Sequence, residues 1–424
     1  MKKILLIISV LVFSFHGLAQ SFDSYFEKYS MRFDYFRTGN ANTELISNDI
    51  IFQEPHWGGS FVNLIDTFNY GNYKFEVLDS VSGKLLFSKG FSSLFFEWRY
   101  TDEAKFLNRS FSESVIFPFP KKTIRLVFYI RNQSMAWEKQ YETFINPTDY
   151  AIVKQLAFPS QSFRIHNNAP SDKALDIVIL PEGYTAAEMQ KFMNDAQRFK
   201  DYLLNCKPFD SYSSKINIWA IAASSMESGT DLPGQNIWKN TLFDSHFYTF
   251  GTERYLNTLN NKMVRHLAAN APYDQIYILV NTDKYGGAGI FNYYSICTSD
   301  HENSDFVFVH EFGHGFAGLA DEYYTSDVST DGLYAVDLEP WEPNITTLVA
   351  FDKKWKSMLN AQTPVPTPAT ENFKSSVGVF EGAGYKAKGV YRPKMECTMK
   401  SVRYNDFCEV CTNAIIQMLE FYSH

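Results

Sequence analysis

The stretch that most constrains this chain is HEFGHGFAGLADEY, running from His310 to Tyr323. Residues four apart on an α-helix lie nearly one above the other, so a helix through His310 and His314 aims both imidazoles at one point. Glu311 points to the side of that point, where a carboxylate can take a proton without ligating. Neutral imidazole is a good donor to zinc, and H-E-x-x-H on a helix is the pattern of a zinc hydrolase. A catalytic ion of that kind takes three protein ligands and keeps its fourth position for water. The usual third ligand would be a histidine six residues after His314, where this chain has Ala320. Asp321 and Glu322 follow directly. On an unbroken helix they would lie about 10 Å further along the axis, out of a carboxylate's reach. The chain must therefore leave the helix and double back, which Gly315 and Gly318 permit because glycine accepts the left-handed conformation that ends helices. Asp321 is the expected third metal ligand and Glu322 the reserve. Glu339 and Glu342 in LEPWEP are remoter candidates on a stretch whose prolines make a poor helix.

Upstream, the chain changes style. From about residue 45 to 145, short alternating runs are separated by turn signals. In TIRLVFYIRN, Ile124, Leu126, Phe128 and Ile130 share one face and Arg125, Tyr129 and Arg131 the other, the period of a half-buried strand. KFEVLDSVSGKLLF reads as a hairpin about Ser82-Gly83. An antiparallel β-sandwich is expected there. Prolines 147, 159 and 170 mark a boundary near 160. Beyond it, LDIVIL is apolar without alternation, as for a strand covered on both faces. Thr185 to Glu188 forms a capping box ahead of the helical spacing of Phe192, Ala196, Phe199 and Leu203. INIWAIA and QIYILV read as further strands, with a helix over about 253–268 between them. The expected organisation is a signal peptide at 1–19, a β-sandwich domain at 20–160 and an α/β catalytic domain at 161–424. A length of 424 residues accommodates that division.

The opening MKKILLIISVLVFSFHGLAQ pairs two lysines with an apolar run too short to span a bilayer, and Gly17 and Ala19 precede a cleavage point. Export is the expectation, to the periplasm, the cell surface or the medium. No later stretch reads as a membrane helix. Net charge is −8 with no long basic run, which argues against a nucleic-acid partner. Of five cysteines, Cys397, Cys408 and Cys411 cluster. In an exported chain one or two disulfides are the default reading, while Cys408-Glu-Val-Cys411 alone offers half of a zinc knuckle.

HEFGHGFAGLADEY, taken with GYTAAEM and YGGAGI upstream and with EPN and YRPKMECTMKS downstream, resembles the IgA-peptidase-type zinc metallopeptidases, family sixty-four. The resemblance spans nearly the whole mature chain, including the β-rich N-terminal domain of bacterial members. It implies a metzincin-like catalytic domain with a methionine turn beneath the metal, for which Met399 is the matching position. By loose analogy with astacin-like enzymes, Tyr404 is a candidate for an oxyanion site. The glycine at 318 falls one residue later than in metzincins. Tyr285 to Gly289 is a candidate cleft-edge strand for an extended substrate. The expected function is a secreted zinc-dependent endopeptidase that hydrolyses peptide bonds in protein substrates by metal-activated water, with Glu311 as general base. The alternative is a surface protein- or glycan-binding protein with a non-catalytic metal site. Oligomeric state is not legible.

Overall fold

Alternation in the N-terminal third produces two four-stranded sheets. The computed structural model describes residues 22–156, 158–324, 333–402 and 404–424, so the leader expected at 1–19 lies outside the described residues. After a short helix α1 (Phe22–Tyr25), strands β1 (Phe26–Gly39) and β2 (Glu44–Glu54) form one sheet with β5 (Arg109–Pro120) and β8 (Val153–Lys154). Strands β3 (Tyr73–Asp79) and β4 (Leu85–Phe91) form the other with β6 (Ile124–Arg131) and β7 (Trp137–Ile145). Phe33 and Tyr35 of the first sheet pack with Phe75, Leu126 and Phe128 of the second in one buried cluster. The unit is not all β. Between β4 and β5 it carries a helix, α2 (Leu94–Trp98), capped by Ser93, whose side chain accepts from the Phe96 N–H.

The larger unit is built on a six-stranded sheet in the order β13-β14-β12-β10-β11-β9. Its strands are β9 (Gln161–His166), β10 (Leu175–Glu182), β11 (Ile216–Ala222), β12 (Gln275–Val280), β13 (Gly287–Ile290) and β14 (Tyr294–Thr298). The four central strands are parallel, and β9 and β13 run antiparallel at the two edges. β10 shows why LDIVIL lacks alternation. Leu175, Ile177 and Ile179 enter the core on one face, while Val178 and Leu180 enter a second core on the other. Each such side chain contributes about 1.5–3 kcal/mol on burial, and both faces draw on it.

The first face is covered by α3 (Met189–Leu204), α5 (Ser304–Ala317) and α6 (Glu409–Tyr422), the second by α4 (Asn261–Ala268) and by the N-terminal unit. Thr185 and Glu188 form the capping box ahead of α3. The helix expected over 253–268 begins only at Asn261. The Asn260 side chain caps the Met263 N–H, and the residues before it pair as bridges instead, Asn257 with His246 and Tyr255 with Gly287. A hairpin of β15 (Phe380–Ala383) and β16 (Lys386–Arg392) completes the described elements. Among the described residues, no helix is long and apolar enough to cross a membrane.

Candidate metal centre

Helix α5 carries both histidines. It ends where the sequence requires, with Gly318 at φ 63°. The Gly318 N–H bonds the His314 carbonyl (3.1 Å), the αL closure of a helix, and the Leu319 N–H reaches further back to that of Gly313 (3.2 Å) as the chain reverses. The returning segment is clamped from two sides. Asn344 accepts the Ala320 N–H (2.7 Å) and donates to the Ala320 carbonyl (2.9 Å). The Gly384 N–H, between β15 and β16, donates to the Asp321 carbonyl (2.9 Å). Asp321 is thereby delivered beneath the histidines.

The ligand atoms converge. His310 Nε2 and His314 Nε2 are 3.1 Å apart, and Asp321 Oδ1 lies 3.1 Å from the first and 3.3 Å from the second. His310 Nδ1 donates to the Thr398 carbonyl (2.9 Å) and His314 Nδ1 to the Leu319 carbonyl (2.5 Å). A carbonyl can only accept, so each Nδ1 carries a proton and Nε2 is the nitrogen that each ring turns to the central point. Asp321 Oδ2 takes the Tyr385 hydroxyl, whereas Oδ1 is buried with no hydrogen-bond partner among the described residues. Burial opposes charge here, yet the histidines hold Asp321 well below the usual carboxylate range. In return Asp321 outweighs burial and pulls His314 up to about 9. Both shifts show that Asp321 stabilises positive charge beside it.

Glu311 opens onto the cleft from the same helix, and burial raises its pKa against the opposing pull of His310 and His314. The edge strand β13 passes directly over the helix at this level. A Cβ at Gly289 would stand 2.1 Å from the Glu311 carbonyl, so only glycine allows that approach. Met399 is fully buried below, its Sδ 3.0 Å from where a Cβ on Gly313 would sit, between the two histidines in sequence.

Other sequence candidates fall elsewhere. Glu322 turns away from the histidines toward Cys397, Cys408 and Cys411. Glu339 accepts the Ala350 N–H, and Glu342 accepts the Tyr334 hydroxyl at the cleft wall, so neither joins the ligand atoms. Tyr404 is 40% exposed and is not among the side chains lining the cleft. Among the tyrosines that do line it are Tyr255, Tyr285, Tyr323 and Tyr385. The expected disulfides are also absent among the described residues, where all five cysteines are buried free thiols.

The cleft encloses about 810 Å³ and is walled by both units. Helix α2 contributes Phe96, Glu97 and Tyr100. Glu97 accepts the Tyr255 hydroxyl, and burial, opposed by that bond, pushes its pKa up to about 7. Sequence reasoning overlooked Glu97 and Tyr385, because neither sits in a motif. A family model described as IgA Peptidase M64 matches residues 163–374 and 369–419, and one described as Peptidase M64 N-terminus matches residues 21–142. No curated protein matches the chain.

Proposed function

The chain belongs to the IgA peptidase M64 family and is a metallopeptidase with protein or peptide substrates; from that premise we propose that it is an exported, zinc-dependent endopeptidase with Glu311 as general base. The observation that carries the reading is the triangle of His310 Nε2, His314 Nε2 and Asp321 Oδ1, with sides of 3.1–3.3 Å. Nitrogen and oxygen ligands about 2.0–2.1 Å from a tetrahedral zinc stand about 3.3 Å from one another, so the donor set fits that ion. Zinc bound there supplies Lewis acidity, polarising the scissile carbonyl and making water acidic enough to attack near neutral pH.

The rest falls to the chain's own side chains. Glu311 takes the proton of the attacking water and passes it to the leaving amine, two transfers that its raised pKa favours. The edge strand β13 offers backbone groups to an extended peptide beside Glu311. Met399 under the helix supports a metzincin-like floor to the site. The apolar leader supports export, and a mature chain starting near Gln20 is its expected mark by mass spectrometry. Glu311→Gln is expected to retain metal by elemental analysis while losing about 10³-fold in casein hydrolysis, within the range for a general base. Wild-type turnover by that variant would overturn the assignment.

A further inference from the structure

We propose a second metal site, structural rather than catalytic, formed by Glu322, Cys397, Cys408 and Cys411 and suited to zinc. It goes beyond the peptidase reading and does not depend on it. One ligand atom from each of the four residues lies within 4.8 Å of all the others, and all four residues are buried. Cys397 Sγ and Cys411 Sγ are 3.8 Å apart. Two thiolates about 2.3 Å from a tetrahedral zinc are separated by about that distance. Cys411 Sγ stands 3.1 Å from Glu322 Oε1. The spacing Cys408-x-x-Cys411 opens helix α6, with Cys408 at its N-cap, so both sulfurs face one point at the positive end of the helix.

Glu322 is the decisive member. A carboxylate in a fully buried, largely sulfur-lined pocket is costly without a cation. Oε1 accepts from Asn344 (3.0 Å) and from the Cys411 thiol (3.1 Å), while Oε2 has no hydrogen-bond partner among the described residues. No lysine or arginine forms an ion pair with Glu322 among the described residues. A disulfide would join two of the three sulfurs and leave the third thiol and the carboxylate unexplained. One divalent ion takes all four donors, the thiols giving up their protons on binding.

The site also accounts for the geometry of its neighbour. Asp321 and Glu322 are consecutive, and the first faces the histidines while the second faces the cysteines. Cys397 opens the turn whose Thr398 carbonyl orients His310 and whose Met399 carbonyl accepts the Glu322 N–H (2.8 Å). An ion at the cysteines would tie the third-ligand segment, the methionine turn and α6 together.

The test uses the full chain purified without chelator or added reductant. Elemental analysis of His310→Ala/His314→Ala, which dismantles the first group only, is expected to find one zinc per chain against two in the wild type. Cobalt exchanged into that variant should give the near-ultraviolet thiolate-to-metal charge-transfer band, which a site of histidines and carboxylates cannot produce. Thiol titration of the wild type in denaturant with chelator should return all five cysteines. A metal-free double variant, or a titration returning only three thiols, would overturn the proposal. Either result leaves the peptidase reading standing, because that rests on Glu311 and the histidines.

Discussion

Tyr385 and Glu97 make the case that residues outside any motif shape this site. The Tyr385 hydroxyl binds one oxygen of Asp321 and leaves the other facing the imidazoles. Partners of this kind hold a ligand in its binding orientation, and their loss weakens metal affinity by about 10–100-fold. Tyr385→Phe is expected to show that loss in competition against a chelator, and unchanged affinity would mean that Asp321 is fixed by its backbone alone. Glu97 makes a prediction about pH. Its carboxyl, ordinarily near 4.5, releases its proton only at about 7 in the cleft wall, mainly because of burial. Below pH 4.5 both folded and unfolded chains carry that proton. Between 4.5 and 7 the unfolded chain releases it first, so stability declines as pH rises through the window. Glu97→Gln removes the titration and keeps the shape. Its melting temperature relative to wild type should therefore be higher at pH 8 than at pH 5, and a difference independent of pH would refute the account.

At the scale of elements, the end of α5 governs the site. Gly318 has φ 63°, and a Cβ there would meet the Trp341 ring at 2.7 Å. Gly318→Ala is expected to cost about 1–2 kcal/mol from the left-handed backbone alone, read as a lower melting temperature. It should also weaken metal binding, since the reversal delivers Asp321. This element was legible in advance because a distance argument compels it: two histidines on a helix and a carboxylate just beyond can meet one ion only across a chain reversal. The Thr185 capping box and the alternation of Ile124, Leu126 and Phe128 were legible for similar reasons, each being a local pattern with a local cause. The helix expected over 253–268 was not, because its first half is claimed by bridges to His246 and to Gly287, the latter far outside any local window of sequence. The gathering of Cys397 with Cys408 and Cys411 could be anticipated, but the arrival of Glu322 among them required the same reversal to be followed one residue further.

Across the whole molecule, the two units share a core and a buried polar seam. Phe95, Trp98 and Phe111 pack into the second face of the six-stranded sheet. Arg32, paired with Asp34 and Glu54, contacts His266, while Asn261 donates to Ser114 (2.8 Å). A fragment starting at residue 161 would expose that apolar face, and it is expected to be recovered as aggregate or as inactive protein. A soluble fragment with full activity would show the seam to be dispensable. Glu97 was illegible for this reason: it reaches the cleft only because one unit is laid against the other. The shared wall has a further consequence. A peptide laid along β13, as proposed above, would have α2 on the opposite wall, an arrangement that suits a single outstretched strand better than a globular surface. Digestion of a multidomain protein is then expected to cut tethers, tails and unravelled loops first, and early cuts inside the compact modules would refute that docking.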